Sequence, residues 1–112
     1  MSAGWHILRE GDSLTLARRL PPKLHLAVQT VLPPCNPLRL AHQIRQDLWR
    51  ALQLVRGYSP VVRLDPLPEG WAVTAGGPVA GPVPAALSAR AAAVLDDAAN
   101  RARWVRQAGG RP

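Results

Sequence analysis

The sequence predicts an α+β domain: a small antiparallel or mixed sheet of about five short strands with two helices packed on one face, in the order ββ-β-α-ββ-α. Three observations carry that expectation. The stretch 36–56 has sustained helical periodicity. The stretches 23–32 and 71–75 alternate at the period of a strand. Twelve prolines and nine glycines cut the 112 residues into short segments with defined turns.

The first two short strands are expected at 5–8 and 14–18, joined by a turn through Arg9-Glu10-Gly11-Asp12-Ser13. Leu14 and Leu16 share one face of the second. Pro21-Pro22 breaks the chain, and 23–32 follows as a half-buried strand, with Leu24, Leu26, Val28 and Thr30 facing one way. Pro33-Pro34 ends it.

The main helix is expected over 36–56. Asn36 is a suitable N-cap, Pro37 fits the first helical position, and Gly57 can take the left-handed conformation that ends a helix. Leu40, Ala41, Ile44, Leu48, Ala51, Leu52 and Val55 form its apolar stripe, opposite Arg39, Gln43, Gln46, Arg50 and Gln53. A second hairpin is expected from 58–64 and 71–75, and the Gly/Pro-rich 76–84 reads as a connector. The last element is one helix over 84–107, N-capped by Ser88, with a possible interruption at Asn100 and a frayed tail at 108–112. The whole of 1–112 reads as a single domain, long enough to bury one core without staples.

The net charge is +7, and Lys23 is the only lysine among the cations. That excess suits an acidic partner, whether nucleic acid, an acidic protein face or a membrane surface. Because the arginines are spread rather than blocked, solubility alone also accounts for them. The single Cys35 has no internal disulfide partner, which points to a reducing, cytoplasmic setting. The N-terminus lacks the basic start and apolar core of a secretory signal, and no run approaches the roughly 20 apolar residues of a membrane span, so membrane insertion is not expected.

Cys35 stands just before a helix N-terminus, where partial positive charge lowers a thiol pKa, with His25 and His42 as available bases. A small buried structural cysteine fits the same position. The histidines and the cysteine have no metal-ligand spacing, and the glycine pairs lack a phosphate-loop context, so no metal or cofactor is expected. Asp96 and Asp97 point about 100° apart on a helix, which suits a solvated face with Asp97 pairing to Arg101.

Trp49 lies off the apolar stripe in the sector of Leu38, His42, Arg45 and Arg56, where it suits stacking with a guanidinium or anchoring a partner. Trp104 is placed off its own stripe in the same way. Arg101, Arg103 and Arg106 crowd the end of the last helix, where they complement its dipole or contact phosphates. The expected function is a non-enzymatic protein-interaction module, an accessory subunit or assembly adaptor. Its protein partner, acidic in character, would meet either the open face of the sheet or the helix edge of His42, Arg45, Trp49 and Arg56. A nucleic-acid or ribosome-binding module using Arg101, Arg103 and Arg106 is the first alternative, and a small thiol-dependent enzyme using Cys35 is the second.

Overall fold

The computed structural model describes residues 4–111. Among these, the elements run β1 (His6–Glu10), β2 (Ser13–Ala17), β3 (Leu26–Leu32), α1 (Pro37–Leu52), β4 (Val61–Leu67), β5 (Gly70–Gly77), α2 (Ala85–Asp96) and α3 (Ala98–Gln107). The five strands form one sheet in the order β1-β2-β4-β5-β3, and every neighbouring pair is antiparallel. The β4–β5 hairpin is therefore inserted between the first hairpin and β3. Helix α1 makes that possible by carrying the chain back across the sheet from its far edge.

One face of the sheet is apolar because the register aligns it so. Leu16, Val62, Ala75 and Val28 form one row, and Leu14, Leu64, Val73 and Thr30 the next. Helix α1 packs over β2, β4 and β5, α2 packs over β3, and α3 packs on both helices. Leu40, Ala41, Ile44, Leu48 and Leu52 are the buried stripe of α1. Each fully buried Leu or Ile contributes about 1.5–3 kcal/mol of transfer free energy. The opposite face carries Thr15, Arg63, Thr74 and Gln29 in one row. There Asp65 accepts from Ser13 Oγ at 2.6 Å and from Arg63 Nε at 3.1 Å, and Arg63, then Ser13, hold its carboxyl below the usual range.

The element count differs from expectation at the C-terminus, where three helices replace two. Asp97 takes an extended conformation and its side chain accepts from the Asn100 N–H at 2.8 Å, so it caps a new helix instead of pairing with Arg101. Asn100 in turn donates Nδ2–H to the Val94 carbonyl, satisfying an end group of α2. A single helical wheel drawn across 84–107 therefore has the wrong phase beyond Asp97. Trp104, placed off the stripe by that wheel, is fully buried. Ser88 is not the N-cap of α2 either. The extended Pro84 precedes the helix and its carbonyl accepts from the Leu87 and Ser88 N–H groups.

Further boundaries shift: β3 begins at Leu26 and β4 runs from Val61 to Leu67, through residues 65–67 expected in the turn. Helix α1 ends at Leu52, and turns through 53–57 close it, with Gly57 at a φ of 77°. Strand β5 continues through Gly76 and Gly77, which pair with Ala27 and Leu26. These glycines serve the ladder because neighbouring backbone comes so close: a Cβ at Gly76 would collide with the Leu26 carbonyl, and one at Gly77 with the Ser59 carbonyl. The tail is docked through Gly110, with Ala108 buried, its carbonyl accepting from the Asn36 N–H at 2.9 Å, and the Gly110 N–H donating to the Val105 carbonyl at 2.8 Å. Pro112 lies outside the described residues.

The edges of the sheet differ. At β3, Arg101 lays its guanidinium across the strand, donating to Thr30 Oγ1 and to the Val31 carbonyl at 2.6 Å each, and to the Leu95 carbonyl at 3.0 Å. At β1 the outer edge is a strand of only five residues.

Candidate functional site

Strand register brings the site together. His6 opposes Ala17 at the end of the β1–β2 ladder, and Ala17 opposes Val61 in β4. One step beyond that row come Trp5, Arg18 and Pro60, which therefore emerge side by side at one end of the sheet. Arg45 and Trp49 stand one turn apart on α1, so they project over the same end. Trp5, Arg18, Arg19, Arg45, Trp49 and the 58–60 segment enclose a cleft of about 360 Å3.

Its rings are held in place. Tyr58 is buried and donates its hydroxyl to the Gly76 carbonyl at 3.2 Å, and burial raises its phenol pKa. Trp49 lies parallel to Tyr58, with centroids 6.4 Å apart and planes at 11°, and remains 43% exposed. The Arg45 guanidinium carbon is 4.7 Å from the centre of the Trp5 ring, and that of Arg18 is 5.5 Å away. His42 meets the edge of Trp5, and its Nδ1 accepts from Arg45 Nε–H at 3.2 Å. Burial, then the Arg45 charge, lowers the His42 pKa, which keeps the ring in the neutral form that can accept.

The charge of the cleft is one-sided. Among the described residues, three arginines line it and no carboxylate does. Burial, then the charge of Arg18, lowers the pKa of Arg45, as expected where like charges converge away from water. Ser59 lines the same wall, and its buried hydroxyl has no hydrogen-bond partner among the described residues. An arrangement of this kind can bind an anion that also presents a flat or apolar surface.

The structure brings Arg45, Trp49 and His42 together but places Arg56 elsewhere. Arg56 follows the end of α1 and lines a separate depression of about 340 Å3 with Val79 and Arg90. The three C-terminal arginines are engaged differently. Arg101 is committed to β3 and the end of α2, and Arg103 donates to Asp47 at 2.8 Å and to Asn100 at 2.9 Å. Arg106 is exposed in the last turn of α3.

Cys35 is half-buried beside the docked tail, and its carbonyl accepts from Trp71 Nε1–H at 3.0 Å. Burial raises its thiol pKa, the reverse of the lowering expected from the helix N-terminus, so thiolate activation is opposed there. His25 is exposed on the run into β3. Among the described residues no group of three or more His, Cys, Asp or Glu is arranged to hold a metal ion. Among the described residues no helix is long and apolar enough to cross a membrane.

Trp5, Arg18, Arg19, Tyr58 and Ser59 join the site without having been singled out in the sequence. The signal for the first two was the turn. A two-residue Gly11-Asp12 turn, with Glu10 opposing Ser13, fixes a register that sets Trp5 against Arg18. A five-residue turn over 9–13 loses it. No family model, curated protein or solved structure matches this chain.

Proposed function

We propose that this domain is a non-catalytic protein-interaction module, an adaptor or accessory subunit, that holds an acidic segment of a partner in the Trp5–Arg18–Arg45–Trp49 cleft. The observation that carries this reading is the convergence of three arginines on exposed aromatic surface with no carboxylate in the lining. Elsewhere Arg63 is paired with Asp65 and Arg103 with Asp47. Trp and Arg are also the residue types that dominate binding energy at interfaces. A cytoplasmic setting fits the lone thiol of Cys35.

The test is affinity capture from the source cells, with and without nuclease, comparing three forms of the full chain. Trp49→Ala together with Arg45→Ala is expected to weaken partner retention by at least tenfold, roughly the loss of a single hot spot. The triple change of Arg101, Arg103 and Arg106 to Ala is expected to leave retention unchanged at temperatures where that form stays folded. If nuclease releases the partner, or the triple change alone abolishes binding, the nucleic-acid reading replaces this one.

A further inference from the structure

We infer that the anion received by the cleft is a phosphate monoester whose molecule also bears a planar ring, with the phosphate among Arg18, Arg19 and Arg45 and the ring against Trp49. The inference rests on the cleft being the binding site, as argued above.

Charge favours phosphate over carboxylate. A carboxylate brings one negative charge to three guanidinium groups, whereas a phosphate monoester brings about 1.5–2 near pH 7, with three strong acceptor oxygens. Burial, then the charge of Arg18, disfavours the charge of Arg45, so a dianion beside them relieves more repulsion than a monoanion. Guanidinium forks suit several oxygens on one centre, because each can donate two parallel hydrogen bonds.

The ring is argued from Trp49. Tyr58 lies parallel to it and donates to the Gly76 carbonyl, and the indole keeps exposed surface at the mouth of the cleft. Trp5 differs, since Arg18 and Arg45 both lie over its ring. One indole thus orients the guanidinium groups while the other offers a stacking surface beside them. A volume of about 360 Å3 accommodates one aryl phosphate and is small for a longer folded segment. Two sources share this chemistry: a phosphorylated tyrosine on a protein and a nucleotide.

The indole N–H signals of the 15N-labelled full chain test the inference, because the four tryptophans divide into two pairs. Trp5 and Trp49 line the cleft, while Trp71 and Trp104 donate to the Cys35 carbonyl and to Asp47 and report only on folding. Phenyl phosphate, phenylacetate, inorganic phosphate and adenosine monophosphate are titrated at one ionic strength. Phenyl phosphate is expected to move the Trp5 and Trp49 signals alone, and to bind at least ~10-fold more tightly than phenylacetate or inorganic phosphate. Arg18→Gln with Arg45→Gln is expected to remove that binding while the Trp71 and Trp104 signals stay in place. Arg19→Gln alone is expected to weaken it, and serves if the double variant does not fold.

Equal affinity for phenylacetate overturns the inference and leaves the acidic-partner reading standing. Absence of any shift at Trp5 and Trp49 with all four probes also overturns it. Adenosine monophosphate binding at least ~10-fold more tightly than phenyl phosphate upholds the phosphate chemistry but overturns the protein-partner reading, because the ligand is then a nucleotide.

Discussion

At Asp47 a single, largely buried carboxylate joins two helices. It accepts from Trp104 Nε1–H at 2.5 Å and Arg103 at 2.8 Å, and lies 3.7 Å from Arg50. Asp47→Ala leaves the buried indole N–H without a partner, and the expected cost is about 2 kcal/mol in denaturant melts, against under ~0.5 kcal/mol for the exposed Asp12→Ala. Two titrating residues make pH-dependent predictions. The folded state lowers the pKa of His42, so its contribution to stability is intact above about pH 6.5, the unfolded value, and declines as pH falls towards the lower folded value. His42→Gln is expected to flatten that part of the stability profile. The folded state also lowers the pKa of Asp65, whose contribution is intact above about pH 4 and is lost as pH falls through its folded value. Asp65→Asn is expected to be less stable than the natural chain at neutral pH and to lose less on acidification. Burial and pairing of this kind are hard to read in a sequence. Asp47 falls about 20° from Leu40 on a helical wheel, at the border of the apolar stripe, and only the placement of α3 tells that it meets an indole.

Among the elements, α1 was the most legible. Its stripe, N-cap and first proline all agree, and Leu40, Ala41, Ile44, Leu48 and Leu52 are buried as their spacing requires. Leu48→Ala is accordingly expected to cost about 2–5 kcal/mol, read as a shift in denaturation midpoint. The α2–α3 segment was read as one helix because Ala and Arg favour helix on both sides of the break. The break lies in the backbone at Asp97, and its cue was local: a capping residue three positions before Asn100. Asp97→Ala is expected to cost about 1 kcal/mol, a cap's worth, with helix content falling by less than α3 contains. The candidate site was legible only on its helix side. Arg45 and Trp49 follow from a wheel, whereas Trp5 and Arg18 depend on the length of one turn, which moves the register of a whole strand.

For the molecule as a whole, class and layering followed from pattern, and strand order did not. Alternation says which face of a strand is wet, but not that the β4–β5 hairpin lies inside β3. That order leaves β3, seven residues long, as one rim of the sheet, and the rim is where Arg101 acts. A strand edge with free carbonyls is a template for other chains. Seen this way, Arg101 is a guard against self-assembly, and losing it would first tell on solubility. Arg101→Ala frees the Val31 carbonyl beside a side chain that is already 57% exposed. The expected result is concentration-dependent light scattering well below the melting temperature, with dilute melts shifted little. A variant that loses stability yet stays clear at high concentration would mean that the rim is protected by other means.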